Sequence, residues 1–499
     1  MDIGFLTEWP LISRVPQMNF KRTIQARFFP TYFVILLITT FWCVAAGANE
    51  HRSALSSWPV SFDPVSASDT VGQFVLNNSH EGLLNWTPEA GLAPGLAESW
   101  TKVKGDARYR FKLRPNLFFA NGAKLSEKDV VLHFDRLRRQ PGYFRSHFVN
   151  LSRIRAIGRG QIEISLVRED PNFLLLVASV AGRVVKRFGR NWVGAGPFAI
   201  EFTKNELTLR PNVHYWGQRP EIERVRFKMM SESEALRAAR AGAIDDMLLY
   251  SPTPDSLGLL RNEMKLHRIW ATWVIGFDQR VSPLDQVELR RRLVGRISSK
   301  DWISKFYPEQ TEAFGLIPIG MPGAVDSATD NKFTSVDEKF PELVITIPDS
   351  LGRATEIARY IEGRMPGVRT QLKPFDWMMA NYANGRMGAF LVSINAEYPD
   401  VSFIVRALKS NSDGNFLGIK NDQLDKLIEH ALSDSDAKMR SEYFAKVNRF
   451  LSENAATVNL MHVRQVIWMR SCVSGVKLSP VSEGHHDIRR LVNRCKNEN

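Results

Sequence analysis

The sequence predicts an α/β protein, and the 342–394 region carries most of that prediction. Leu343 to Ile347 reads as a strand. Ala354, Ile357, Ala358 and Ile361 form a helical stripe that ends at Gly363. Val368 to Leu372 is a second strand, Asp376 to Met387 a helix, and Phe390 to Ile394 a third strand. Strands alternating with helices imply βαβ units and a parallel sheet. Ligands of such sheets bind outside the carboxyl ends of the strands. That rule alone places Asn395, Ala396, Glu397, Tyr398, Pro399 and Asp400 at a binding edge.

A second observation is the handover from strand to helix near residue 115. Tyr109, Phe111 and Leu113 alternate with Arg110, Lys112 and Arg114, the period of a strand with one buried face. Pro115-Asn116 breaks it, and Asn121-Gly122 supplies a turn that tolerates positive φ. Ser126 with Asp129 three residues on reads as a capping box, and Val130, Phe134 and Leu137 form the stripe of the helix that follows.

The third observation is bulk composition. A chain of 499 residues with 44% hydrophobic and 24% charged residues is globular and long enough for two to four domains. At the N-terminus, Lys21, Arg22 and Arg27 precede an uncharged run from Phe28 to Ala48 that ends in Ala46-Gly47-Ala48. This pattern reads as a secretory signal peptide over 1–48, with Met18 as an alternative start. An uncleaved membrane anchor is the other reading, since the run is long enough to span a bilayer. Cys43 leaves with the leader. Cys472 and Cys495 remain, either as a disulfide in an oxidising compartment or as two free thiols.

Residues 1–48 carry Arg14, Lys21, Arg22 and Arg27 against Asp2 and Glu8, so their removal lowers the net charge from +13 to +11. Basic clusters such as Arg183, Lys186, Arg187 and Arg190, or Arg290-Arg291-Arg292, have no interleaved stacking aromatics. Nucleic acid is therefore not an expected partner.

Several stretches, taken in order, resemble one family. Leu96-Ala97-Glu98-Ser99-Trp100, Phe111, Leu113-Arg114, Asn121-Gly122, Asp129-Val130 and Arg136 keep the order and spacing of a run found in the family-5 extracellular solute-binding proteins. These are the dipeptide-, oligopeptide- and nickel-binding proteins that feed ABC importers. Phe62-Asp63-Pro64, Glu81-Gly82-Leu83, Gly194 to Phe198, Asn212 to Gly217, Ala241 to Asp245, Leu316 to Gly323 and Val473 to Pro480 resemble further family landmarks. The resemblance spans about Phe62 to Pro480.

The resemblance implies a two-lobed periplasmic-binding-protein fold (type II, class C) with a small extra α+β subdomain. On that pattern residues 49–78, 190–268 and 465–499 build lobe I, 79–189 the extra subdomain and 269–464 lobe II. It also implies capture of a peptide or similar amine-bearing solute by hinge closure, delivery to ABC permease membrane subunits, a monomer and a periplasmic location. In peptide-binding relatives an acid in the 394–401 stretch holds the ligand's α-amino group, and here Glu397 takes its place, with Asp400 following and Asn395 beside it. Ile394 and Val401 depart from the family's Trp and Pro, and an acidic loop in water is the alternative. Trp273, on the strand expected over 269–280, would sit near the hinge, and His80 near the start of the ligand cleft.

Enzyme motifs do not appear: there is no G-x-S-x-G, H-E-x-x-H or C-x-x-C. No cofactor and no metal are expected, because adjacent His485 and His486 point apart on regular structure. A metal or nickel-chelate binder including His462, and a ligand sensor on the same fold, remain as alternatives.

Overall fold

The computed structural model describes residues 49–495, apart from 68, 88–90, 141–143, 205, 250–262, 328–339 and 479–485. The expected leader over 1–48 lies outside the described residues. Among the described residues no helix is long and apolar enough to cross a membrane.

Ten described strands form one sheet. Its spatial order is Phe198–Phe202, Leu207–Pro211, Arg224–Met229, Glu50–Leu55, Asp246–Leu249, Thr457–Met469, Met264–Phe277, Ala389–Asn395, Leu343–Pro348 and Val368–Lys373. On one flank Glu50–Leu55 runs parallel to Arg224–Met229 and Asp246–Leu249. On the other, Leu343–Pro348 runs parallel to Val368–Lys373 and Ala389–Asn395, the parallel unit expected from the sequence. The helix expected over Asp376 to Met387 spans Phe375–Ala383 instead. The chain turns at Gly385, whose φ of 61° breaks helical geometry.

Two long antiparallel strands join the flanks. Met264–Phe277 and Thr457–Met469 pair along most of their length, but the register shifts between Arg268 and Thr272 and again between Trp273 and Val274. On one side of that break Val466, Ile467 and Met469 join cores with Leu55, Phe198, Phe227 and Met247. On the other, Ile275, Phe277, Val458 and Leu460 pack with Ile345, Ile357 and Leu391. Separate cores on either side of the break give the sheet two lobes.

The small α+β unit is a four-stranded antiparallel sheet, ordered Ala97–Lys102, Arg108–Leu113, Gln161–Leu166, Leu151–Gly158. Tyr109, Phe111 and Leu113 are its buried face, as their spacing requires. The helix Glu127–Arg139 starts where the capping pattern places it: the Asp129 carboxylate accepts from the Ser126 backbone N–H at 2.8 Å and its hydroxyl at 2.7 Å.

The glycines of Gly194-Ala195-Gly196-Pro197 serve close packing. A Cβ at Gly194 would meet the His80 ring at 2.5 Å, and one at Gly196 the Ser79 carbonyl carbon at 2.5 Å. In the helix Ala437–Glu453 the inward stripe is Phe444, Val447, Asn448 and Leu451, with Met439 exposed. Apolar spacing alone points instead to Met439, Tyr443, Val447 and Phe450. The helix is turned because the buried Asn448 amide accepts from Leu316 N at 2.9 Å and donates to Gly323 O at 3.2 Å, and a buried amide needs such partners.

Cys472 and Cys495 form a disulfide with Cα atoms 5.0 Å apart. It closes a loop of 23 residues in sequence separation, and a loop of that size is worth about 3 kcal/mol in chain entropy. Replacing both cysteines with serine is expected to lower the melting temperature, with reduction of the wild type giving the same shift. An unchanged melting curve after complete reduction would count against it.

Candidate functional site

The two parallel flanks run in opposite directions toward the register break. Leu249 pairs with Val466, which pairs with Leu266, while Asn395 pairs with Ala271. The carboxyl ends of the two strand sets therefore arrive from either side at residues 266–271, the geometry that leaves a crevice in an open α/β sheet. A cavity of about 680 Å³ opens there.

Five strand ends build its walls. Ser56 to Trp58 follow Glu50–Leu55, and Met229 ends its own strand. Opposite them, Asp349 to Leu351, Pro374-Phe375 and Ser393 to Asn395 leave the other three. The first turn of the helix Thr70–Ser79 contributes Thr70, Val71 and Gln73 to the first wall. That helix begins at Asp69, whose carboxylate accepts from Gly72 N at 2.6 Å and Val60 N at 3.1 Å. Burial pushes the Asp69 carboxyl above its ordinary value.

Of the residues singled out in the sequence, Trp273, Asn395 and Glu397 line this cavity. Glu397 is only 6% exposed and accepts a hydrogen bond from Gln73 Nε2 at 3.0 Å, so one bond spans the two walls. Asn395 accepts from Ser393 at 2.6 Å, and Trp273 stands edge-on to Tyr307 with ring centroids 5.5 Å apart.

His80 and Asp400 lie elsewhere. His80 is buried beneath Gly194, bonded to Ser79 Oγ at 2.9 Å, and burial together with nearby Arg183 pushes its pKa down to about 3. Asp400 accepts from Arg440 at 2.8 Å, Asn172 at 3.2 Å and Ser402 N at 2.8 Å. Gln73, Met378, Met387 and Phe403 also line the cavity and were not singled out in the sequence. Capping by Asp69 with the apolar Val71, Phe74 and Val75 marks the first helix. No local signal shows that Gln73 meets a carboxylate 324 positions away.

Residues 91–416 match the family described as bacterial extracellular solute-binding proteins, family 5 Middle, well over half of the chain. The chain belongs to this family. Among curated relatives it is 22% identical to the probable D,D-dipeptide-binding periplasmic protein DdpA of Escherichia coli, covering 94% of this chain and 99% of the relative. Among solved structures it superposes on the Escherichia coli murein tripeptide binding protein MppA with a TM-score of 0.81 at 18% identity, covering 90% of this chain and 99% of that one. Haemophilus influenzae OppA, in complex with the peptide RPPGFSPFR, superposes with a TM-score of 0.80 at 17% identity and the same coverage. These likenesses establish the two-lobed fold.

In this family-5 binding protein the small subdomain also closes over the cavity. The His147 ring stacks on Phe403 with centroids 4.2 Å apart, and both line the cavity. Behind them Arg406 donates to Asp170 at 2.9 Å, with both side chains under 10% exposed, and Asn172 donates to Ser402 at 2.9 Å. Removing one partner from a buried ion pair strands the other charge, at about 3–5 kcal/mol. Asp170→Asn is thus expected to lower thermal stability clearly, and Asp170→Asn with Arg406→Met to recover part of it. A double variant no more stable than the single one would show that the stranded charge is not the cause.

Proposed function

We propose that the protein is the extracellular capture component of an ABC importer, taking up a peptide or similar amine-bearing solute and passing it unchanged to membrane permease subunits. The observation that carries this reading is the convergence of five strand ends on one cavity, with a buried carboxylate, Glu397, reaching across it. In the bound form the ligand amine takes the place beside Glu397, where a desolvated ammonium–carboxylate pair is both strong and specific. Asn395 and Trp273 flank that position.

The division of the chain follows the same reading. Residues 49–78, 190–268 and 465–499 form lobe I, 79–189 the small subdomain and 269–464 lobe II, with the hinge at the register break. A leader over 1–48 delivers a monomer to the periplasm. Relatives named for dipeptides and tripeptides support the ligand class.

Native mass spectrometry of residues 49–499 purified from an export host tests this, before and after denaturation. Released masses fitting short peptides or other amines are expected. An empty protein whose melting temperature no peptide pool raises would refute it.

A further inference from the structure

Methionine accounts for 14 of the 499 residues, yet for four of the 32 described residues that line the cavity: Met229, Met378, Met379 and Met387. Three of the four come from one short stretch. Met378 and Met379 lie on the helix Phe375–Ala383, and Met387 shortly precedes the strand Ala389–Asn395. Met378, Met387 and Phe390 form a small buried cluster of their own, outside the larger cores. Val392 and Phe416 pack against it and tie it to the neighbouring core. All five line the cavity. A cluster this small buries little apolar surface by itself, and an apolar group entering the cavity would complete it.

Methionine suits such a place. An unbranched side chain with a polarisable sulfur fits aliphatic and aromatic shapes alike. Binding surfaces rich in it re-pack around many partners. Phe390 and Val392, two positions apart on one strand and so on one face, form the stiffer part of the lining. A charged group carried into this space would lose its water against thioethers and rings.

Building on the assignment of this cavity as the ligand site, we infer that Met378, Met379 and Met387, with Phe390 and Phe416, form a subsite for one large apolar group of the ligand. The methionines make the subsite selective for apolarity and tolerant of shape. The substrate class is then a set of solutes that share a bulky aliphatic or aromatic group. The rest of the cavity, about 680 Å³ in all, takes up their common part, and that volume is in the range of sites that enclose a small organic ligand.

Calorimetry on residues 49–499, unfolded without reductant to strip ligand and then refolded, tests the assignment. The probes are Ala-Xaa and Xaa-Ala dipeptides with Ala, Leu, Met, Phe, Trp, Lys or Glu as Xaa, together with ethylamine, hexylamine and 4-phenylbutylamine. In one of the two peptide series the Leu, Met, Phe and Trp members are expected to bind within about fivefold of each other, and at least about tenfold more tightly than the Ala, Lys and Glu members. One apolar residue preferred more than about tenfold over the other three, or no apolar preference in either series, would overturn the inference while leaving peptide capture intact. If no peptide binds but hexylamine and 4-phenylbutylamine bind alike and more tightly than ethylamine, the subsite is supported and the peptide ligand refuted. If nothing in the set binds, both fall.

Met378→Leu combined with Met379→Leu and Met387→Leu conserves volume and apolarity. This variant is expected to keep its melting temperature and to spread the four apolar affinities beyond about tenfold. Met379→Leu alone, at a half-buried position, should widen the spread in the same sense and serves if the triple variant does not fold. An unchanged spread in the folded variant would show that the methionines are not the source of the tolerance, and would overturn the assignment.

Discussion

Glu397→Gln is expected to weaken capture of an amine-bearing ligand by roughly 30-fold or more, because truncating one side of a desolvated charge pair costs about 2–5 kcal/mol. The change removes the charge but keeps the shape and one acceptor oxygen. Gln73 Nε2, which donates to Glu397 at 3.0 Å, can still bond to the new amide. Folding stability should therefore move by less than about 1 kcal/mol, the scale of one hydrogen bond. Affinity measured by calorimetry beside a melting curve separates the two effects. Equal affinity in the variant would remove Glu397 from ligand recognition. A large fall in melting temperature would make the residue a structural strut between the walls.

A steep loss of stability is expected as pH falls from 7.5 to 5. Four buried histidines are held neutral: His80 and His147 are pushed down to about 3, His133 and His462 to about 4. Burial is the main cause in each, and a neighbouring arginine adds to it: Arg183, Arg406, Arg136 and Arg268 respectively. Above pH 6.5 both folded and unfolded chains keep these rings neutral. Below it the unfolded chain takes up protons that the folded one refuses, so the folded state loses about 1.4 kcal/mol per pH unit per histidine. By pH 5 that is about 2 kcal/mol each, enough over four sites to lower the melting temperature by roughly 10 °C.

His51 adds stability as pH falls toward 6.5 but does not offset the loss below it. Its pKa is raised, against the effect of burial, by the charge and hydrogen bond of Asp246, so its contribution is already complete below pH 6.5. His462→Gln should flatten the slope by about one quarter, since one of four equal contributions goes. A melting temperature independent of pH between 7.5 and 5 would show that these rings titrate normally.

The fold was readable because its signals are local. The alternation around Tyr109, the cap at Ser126 and the strand–helix sequence from Leu343 to Asn395 each come from residues a few positions apart. Glu397 was readable for the same reason, since a carboxylate just past a parallel strand's end has few other places to point. What surrounds it is set by distant chain. Gln73 reaches it from another part of the sheet. Asp400 has the same local setting as Glu397 but meets Arg440, on a helix whose rotation apolar spacing did not fix. His80 lies beside a family landmark, yet the missing side chain at Gly194 lets the end of the strand Asn191–Gly194 settle directly over it.

Tyr398 and Phe403 come just after Glu397, beyond the end of the strand Ala389–Asn395, but they are buried within the core of the small subdomain, alongside Leu76 of the first helix. An opening that separates this segment from the small subdomain would draw both rings out of that core. Exposing a large apolar side chain costs about 1.5–3 kcal/mol, which falls on the opening step whether or not cargo is present. For such an opening, the residence time of a captured molecule would be governed by two aromatic plugs as well as by its own contacts, and a weakly held solute would still travel a long way before it is dropped.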